Sequence, residues 1–315
     1  MDPAAAPIAM PLAAVEPPEQ RALAGAMLRL LSMAAISLML ALVKLAQTRG
    51  VHILESVFYR QLAAIPVIAL LLMRSGKWSS LKSHRPLGHG LRMLLGISAM
   101  SLNFWTMTLL PLAEATTIFF AVPILTTVLA ALILKEPTGR HRWSAVIVGF
   151  IGVLIVVRPG GGDLPAMGIA AGVVGALMTA AVTIQIRQLG KSEATLTIVF
   201  WFSLTSILPL GIAMLFVGQA HDPATWGIIL AIGLLGAVGQ FCLTGALRLA
   251  PVALVLPMDY SSLIWSALYG YWLFGDLPAT ATWIGAPIII ASGLYIVWRE
   301  HRLARRASAL RPPLR

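Results

Sequence analysis

The sequence predicts an all-α polytopic membrane protein with ten transmembrane helices arranged as two inverted five-helix repeats. Three observations support this fold class. First, 58% of the 315 residues are hydrophobic and 11% are charged, with a mean hydropathy of +0.86, which leaves too little polar surface for a soluble protein. Second, the apolar residues fall into ten segments. Third, a shift of 140 residues aligns the first five segments with the last five.

The ten apolar segments have lengths typical of membrane-spanning helices. Most contain the roughly 17 to 25 residues that a spanning helix needs, although the fifth is short. Backbone groups in a bilayer must be satisfied within the protein, and these runs lack the roughly ten-residue alternation of barrel strands. The chain is therefore expected to cross the membrane as helices. The segments comprise residues 24–45, 52–73, 90–110, 113–134, 143–158, 166–186, 195–217, 226–247, 251–274 and 281–299.

The basic residues between the segments predict the orientation of the chain. With the N-terminus inside, seventeen Lys and Arg residues lie on the cytoplasmic side, and only Arg49 and Arg158 lie in outer loops. The positive-inside rule then places both termini in the cytoplasm and supports the count of ten segments. This distribution accounts for the net charge of +11 without a nucleic-acid partner. The cytoplasmic basic residues are Arg21, Arg74, Lys77, Lys82, Arg85, Lys135, Arg140, Arg142, Arg187, Lys191, Arg248, Arg299, Arg302, Arg305, Arg306, Arg311 and Arg315.

The two halves of the chain are weakly similar at a constant offset. A shift of 140 residues places Gly96 on Gly236 and Pro111 on Pro251, among other matches. Five helices per half is an odd number, so the second half enters the membrane from the opposite side, as in the inverted repeats of transporters. The predicted domains are a disordered cytoplasmic tail, a first repeat, a Gly- and Pro-rich linker, a second repeat and a basic cytoplasmic tail, at residues 1–23, 24–158, 159–165, 166–299 and 300–315.

Prolines interrupt the spans at corresponding places in the two halves. Pro123 lies in the fourth span and Pro257 in the ninth, while Pro66 and Pro209 lie in the second and seventh. A proline removes one helical hydrogen bond and leaves polar backbone that needs another partner. Paired breaks of this kind indicate the central site of a transporter, although prolines also bend membrane helices simply to pack them.

An acidic residue inside the ninth span is the strongest candidate for a functional side chain. Asp259 is expected close to the midplane, where a charge costs about 2.5 to 3.5 kcal/mol. Burial would allow it to carry a proton, whereas a cation beside it would keep it charged. Ser262, Ser266 and Gly270 continue the same helical face, which is also the pattern of a tight helix contact. Tyr260 adjoins Asp259 and could stack on an aromatic substrate.

Other polar residues inside the spans have two interpretations. Asn103 and Trp105 in the third span and Gln240 in the eighth could line a cavity, or the amides could join neighbouring helices by hydrogen bonds. Glu114 lies at the start of the fourth span, where its carboxylate would complement the helix dipole. A charge network, either structural or part of the substrate path, is predicted from Glu55, Arg60, Arg92 and Glu114. In it, Glu55 and Arg60 could pair with each other or with Lys44 or Arg92 on neighbouring helices.

Motifs for cofactors, metals and enzymatic catalysis fail on inspection. Gly190, Lys191 and Ser192 match the end of a phosphate-binding loop, but Gln185 occupies the place of its first glycine. The sequence has no HExxH motif and no Cys/His cluster, and Cys242 is its single cysteine. We therefore expect no cofactor, no metal and no enzymatic activity.

Two stretches carry the pattern of a known family. Residues 109–160 contain a Pro-Leu-Ala turn, a Pro-bearing helix, a short charged loop and a Gly-rich helix ending in Arg-Pro, and residues 257–300 run from PMDY to WRE. They resemble the EamA family of the drug/metabolite transporter superfamily. The resemblance covers essentially residues 24–300 and implies ten helices in two inverted repeats around a central cavity with alternating access. Asp259-Tyr260 with Phe274-Gly275-Asp276 resembles a branch that includes riboflavin and S-adenosylmethionine carriers.

The expected function is secondary active transport of a small organic metabolite across a bacterial inner membrane, with proton coupling as one mechanism. Within transporters, an exporter of drugs or amino acids is the alternative to an importer of vitamin or nucleoside type, because the family fold does not determine the substrate. Outside transporters, the alternatives are a membrane-embedded enzyme acting on a lipid and an assembly subunit without transport. The expected partners are the metabolite and the bilayer, and a homodimer is a candidate oligomeric state.

Overall fold

A computed structural model describes residues 18–309 except 76–80, 84, 134, 136–139, 158–163, 194 and 250–255. The described part of the chain is helical and contains no strand, which confirms the all-α fold class. Each predicted segment coincides with a helix, but the fourth is divided in two and the described part of the ninth begins with a 3-10 turn. The helices are α1 (Pro18–Thr48), α2 (Ile53–Ser75), α3 (Pro86–Leu109), α4 (Leu112–Phe119), α5 (Val122–Ile133), α6 (Arg140–Val157), α7 (Ala166–Leu189), α8 (Thr195–Val217), α9 (Pro223–Leu249), α10 (Ser261–Phe274) and α11 (Thr280–Ala309).

Both terminal helices extend beyond their predicted apolar segments. α1 begins at Pro18 and α11 ends at Ala309, whereas the sequence predicts tails over residues 1–23 and 300–315. Ala, Leu, Arg, Gln and Glu dominate both extensions and are strong helix formers, so each helix continues where its apolar residues end. The remainder of the two tails, residue 158 of the first repeat and residues 159–163 of the predicted linker lie outside the described residues.

The surface of the helix bundle is apolar in the way that lipid contact requires. Leu208, Leu215 and Phe216 of α8 are 72%, 82% and 83% exposed. Because lipid is as apolar as a protein core, membrane helices are hydrophobic on all sides. Two shorter apolar helices lie at Trp143–Val156 and Thr280–Tyr295. Six stretches of the described residues are long and apolar enough to cross a membrane: Leu23–Thr48, Ile53–Leu70, Leu112–Ile133, Ala166–Ile186, Thr197–Val217 and Pro223–Leu243.

Helices from the two halves pack against each other in corresponding pairs. α1 packs most extensively against α9, and α3 packs against α7. The 140-residue shift converts α1 into α7 and α3 into α9, so these two contacts are equivalent. α6 packs against α11 and α2 against α8, and each of these pairs corresponds to itself. Every one of these contacts joins one half to the other, as a two-fold relation between the halves requires.

The buried interior contains apolar clusters and a smaller set of charged, amide, imidazole and hydroxyl-bearing residues. Ile118 and Ile289 belong to a cluster around α4, α6 and α11 and are 1% and 0% exposed. Val57 and Ile232 belong to a second cluster around α1, α2 and α9, and both are 0% exposed. Charges in such surroundings are poorly solvated, so each needs an explicit partner.

Candidate functional site

The fourth membrane span is broken at Phe120 and Ala121. α4 ends at Phe119 and α5 begins at Val122. Pro123 is the second residue of α5, a position where a backbone N–H would have no acceptor within the helix. Pro123 therefore lies in the first turn of a new helix, and the break precedes it.

The described part of the ninth span begins with a 3-10 turn instead of an α-helix, and this turn is the second break. Residues Leu256–Tyr260 form a 3-10 turn that contains Pro257 and Asp259, and α10 begins directly after it. The Asp259 carboxylate thus lies beside the N-terminal end of a helix, where free N–H groups favour a negative charge. Pro66 and Pro209, in contrast, lie inside the continuous helices α2 and α8.

The two breaks meet inside the bundle. The rings of Phe120 and Tyr260 lie edge to face with 5.1 Å between their centroids. These residues occupy equivalent positions, because the shift of 140 residues places Phe120 on Tyr260. The hydroxyl of Tyr260 also lies against Gly293 of α11, where any Cβ would overlap it. The contact therefore joins repeat-equivalent points of the two halves.

Asp259 forms a bidentate ion pair with Arg29 of α1. Arg29 donates from Nε to Oδ1 and from Nη2 to Oδ2, the second bond at 2.5 Å. Arg29 is 6% exposed, while the side chain of Asp259 is 33% exposed. Sequence reasoning left the partner of Asp259 unnamed. A cation within the first apolar segment is the signal that could have identified Arg29.

The predicted polar face of α10 packs against α1 and α4. Ser266 is buried, and its hydroxyl accepts a hydrogen bond of 2.8 Å from Thr116 of α4. The carbonyl of Ser262 accepts a bond of 3.4 Å from the hydroxyl of Ser37 in α1. Gly270, one turn further on, is also buried. These three residues hold α10 to its neighbours.

A second ion pair joins α1 to the far end of the ninth span. Lys44 Nζ lies 3.1 Å from Asp276 Oδ2 and also donates to the carbonyl of Leu110 at 3.1 Å. The ammonium group lies 4.8 Å from the ring centroid of Phe274. α1 is therefore ion-paired to the ninth span or its following loop at two points along its length.

The other predicted cavity residues lie at different helix contacts. Asn103 donates from Nδ2 to the hydroxyl of Thr179 in α7 at 3.1 Å. Gln240 is exposed on α9. Trp105 is 36% exposed and lines a groove of about 450 Å³ between α2 and α3. The groove is lined by His52, Ile53, Leu54, Ile97, Ser98, Ser101, Leu102 and Trp105.

The four residues of the predicted charge network lie in three separate places. Glu55 is fully buried at the start of α2, where His221 Nε2 lies 3.2 Å from its Oε1. The backbone N–H groups of His52 and Gln219 donate to the same carboxylate at 2.8 Å and 3.2 Å. Glu55 thereby ties the loop before α9 to α2, and it is not paired with Arg60, as one interpretation of the sequence suggested.

Glu114 stabilises the start of α11. Its Oε1 accepts hydrogen bonds from the backbone N–H of Ala279 at 2.6 Å and from the hydroxyl of Thr282 at 3.1 Å. Glu114 is 1% exposed. A carboxylate in this position satisfies N–H groups that have no acceptor within the helix, so its structural contact is with α11 and not with a cation.

Arg60 and Arg92 form the third group. Arg60 Nη1 donates to Gln61 Oε1 at 3.2 Å and contacts Met100 Sδ at 3.4 Å. The guanidinium carbon of Arg92 lies 4.0 Å from the ring centroid of Phe202 in α8. The two arginines interact electrostatically with each other. Both lie within helices of the apolar bundle.

Comparison with known proteins identifies the family. The EamA-like transporter family matches the chain twice, over residues 23–158 and 166–298. This chain belongs to the EamA-like transporter family. The finding confirms the resemblance seen in the sequence, and together with transporter relatives it makes the chain a small-metabolite transporter. The membrane-spanning helices and bacterial relatives indicate a multi-pass protein of the inner membrane.

Relatives with named functions align over most of the chain. An S-adenosylmethionine uptake transporter of Rickettsia prowazekii is 29% identical over 87% of this chain and 92% of its own length. Riboflavin transporters of Rhizobium johnstonii and Vibrio cholerae are 29% and 26% identical, covering 93% and 77% of this chain and 96% and 82% of their own lengths. A solved crystal structure shares the fold with a TM-score of 0.58 at 17% identity, over 88% of this chain and 98% of the other.

Proposed function

We propose that this EamA-like transporter moves a metabolite of the S-adenosylmethionine or riboflavin class, by alternating access about the contact between its two helix breaks. The observation that carries the proposal is the Phe120–Tyr260 contact with the Arg29–Asp259 ion pair beside it. Irregular backbone inside a membrane protein is tolerated where it is buried in protein or lines a cavity. Substrate sites of inverted-repeat transporters form at such breaks.

Asp259 is the residue to which we assign coupling or substrate binding. Both of its oxygens are engaged by Arg29, so a proton or a cationic group of the substrate would have to replace Arg29. That exchange would release α1 from the turn before α10 and loosen a contact between the halves. We further propose that Tyr260 and Ser262, which lie next to Asp259, shape the pocket, while Asn103, Trp105 and Gln240 stay predictions because they lie at other helix contacts.

We propose that the chain is a transporter without enzymatic activity and that both termini lie in the cytoplasm. The named relatives are transporters, which supports the first statement. The bias of basic residues toward one side of the predicted spans supports the second. The homodimer stays a prediction.

Uptake by proteoliposomes tests the proposal, with radiolabelled S-adenosylmethionine and riboflavin as probes. We expect the wild type to accumulate one of them and Asp259→Asn, correctly inserted, to lose most of that uptake. Asp222→Asn is the matched control, because Asp222 is exposed and accepts hydrogen bonds only within the start of α9. Wild-type uptake by the Asp259→Asn variant would contradict the role of Asp259. Uptake that does not vary with pH would remove only the proton version.

A further inference from the structure

Arg60 and Arg92 place two positive charges inside the bundle without a negative partner among the described residues. Arg60 lies about 10 Å from the start of α2 along the helix axis, and Arg92 lies about 10 Å from the start of α3. The groups around them are an amide, a thioether and an aromatic ring. None of these neutralises a charge, and a thioether is a weak hydrogen-bond acceptor. Ionisable residues at such depth usually mark a substrate or ion path.

The acidic residues inside the predicted spans have partners other than the two arginines. Three of the twelve lie inside the predicted spans, Glu55, Glu114 and Asp259, and each has the partner described above. Asp276 pairs with Lys44. The others lie outside the ten predicted spans: Asp2, Glu16, Glu19, Glu136, Asp163, Glu193, Asp222 and Glu300.

The arginine pair also has hydrogen-bond donors to spare. Arg60 Nε, Arg92 Nε and Arg92 Nη1 are buried and have no hydrogen-bond partner within the described part of the chain. Gly96 makes room for this arrangement, because a Cβ at that position would overlap Arg92 Nη1 and the Phe202 ring. Buried donors are normally satisfied, so unpaired ones require an explanation.

We propose that Arg60 and Arg92 together bind an oxyanion, a carboxylate or phosphate group, of the transported metabolite. The planar guanidinium fork matches both groups through paired charge-assisted hydrogen bonds. The site lies among α2 and α3 of the first half and α8 of the second, so a bound anion would bridge the halves. This inference rests on the proposed function and adds a chemical requirement to it: the substrate carries a negative group.

Thermal unfolding of the purified protein in phospholipid-free detergent tests the site directly, with inorganic phosphate as the probe at constant ionic strength. We expect phosphate to raise the unfolding midpoint of the wild type and of Arg49→Gln, an exposed loop arginine that serves as the charge-matched control. Arg60→Met and Arg92→Met should lose the phosphate response. Without phosphate, both should unfold at or above the wild-type midpoint, because an apolar residue of similar volume removes an unpaired buried charge.

Three results of this measurement would overturn the proposal. The first is an equal phosphate response in the wild type and the methionine variants, and the second is no response in the wild type. The third is stabilisation by phosphatidylglycerol but not by phosphate, lost in the same variants, which would assign the pair to a lipid headgroup. The methionine variants could also unfold below the wild type in the absence of phosphate. In that case the proposal stands if the wild type and Arg49→Gln respond to phosphate and the methionine variants do not; otherwise the two arginines have a structural role only.

Matched substrates extend the test to transport. S-adenosylmethionine differs from its decarboxylated form by one carboxylate, and riboflavin 5′-phosphate differs from riboflavin by one phosphate group. We expect the wild type to take up the member of each pair that bears the carboxylate or phosphate at least several-fold faster, and Arg60→Met to remove that preference. Equal uptake of both members in both proteins would contradict the inference while leaving the proposed function intact. Failure to transport any of the four would contradict the proposed substrate class, and the phosphate measurement would still decide the arginine site.

Discussion

Arg29 and the Arg60–Arg92 pair lie in the same apolar bundle, yet only Arg29 has a carboxylate partner among the described residues. Arg29 engages both oxygens of Asp259. Arg60 and Arg92 lie among neutral groups, with three buried nitrogen atoms unpaired in the described residues, compared with Nη1 alone for Arg29. The comparison separates an arginine whose partner is built into the chain from arginines whose partner has to come from outside it.

The largest expected effect follows from removing the paired arginine. Arg29→Gln leaves the Asp259 carboxylate in an apolar region without its cation. We expect a loss of about 3 kcal/mol in the free energy of unfolding, at the low end of the range for breaking a buried pair, because the Asp259 side chain keeps 33% of its exposure. Denaturant unfolding in detergent measures the loss.

The double variant provides the control for this prediction. Arg29→Gln combined with Asp259→Asn removes both charges, so it should recover part of the stability that Arg29→Gln alone loses. Simple addition of the two single effects would show that Arg29 and Asp259 are not coupled. A loss in Arg60→Met as large as that in Arg29→Gln would remove the distinction between the two arginine sites.

A substitution of Gly96 should disturb the position of Arg92 and of the Phe202 ring beside it. In Gly96→Ala the new methyl group would displace the Arg92 guanidinium or the Phe202 ring. We expect a loss of about 1 to 3 kcal/mol from overpacking, together with loss of the phosphate response. Gly90→Ala on the same helix is the matched control, since a Cβ there meets nothing within 4 Å. A normal phosphate response in Gly96→Ala would show that Arg92 does not need its observed position.

The sequence was sufficient for the fold because lipid imposes a simple rule on it. Long apolar runs, the basic loops and the 140-residue shift predicted ten segments, and each coincides with a helix or a broken helix. Pro123 and Pro257 indicated both breaks: the first is a short turn just before Pro123, and the second is a 3-10 turn that contains Pro257. Where the helices end in water, apolar content no longer defines the boundary, so the predicted tail at residues 1–23 includes the first turns of α1.

The candidate site was less predictable because charge pairing depends on which helices touch. Asp259 was predicted to be functional because it is an acid in an apolar segment, but its partner Arg29 lies 230 positions away in the sequence. Glu55 and Arg60 are close in sequence, yet the structure pairs Glu55 with His221 in a distant loop. The unpaired state of Arg60 and Arg92 emerges only after the acidic residues around them have been assigned, which requires the packing of the helices.

The smallest expected effect concerns the ion pair between Lys44 of α1 and Asp276. Asp276→Asn removes the carboxylate that lies 3.1 Å from Lys44, but the ammonium group keeps the Leu110 carbonyl and the Phe274 ring. Because Asp276 lies in a loop and its side chain remains 33% exposed, we expect a loss below about 1 kcal/mol. Unfolding at low and high salt measures it, and the loss should shrink as salt screens the pair. The loss could instead equal that in Arg29→Gln, or it could be independent of salt. Either result would mean that α1 depends on a buried ion pair at both ends. The difference in stability would then separate the paired charges of α1 from the unpaired charges of Arg60 and Arg92.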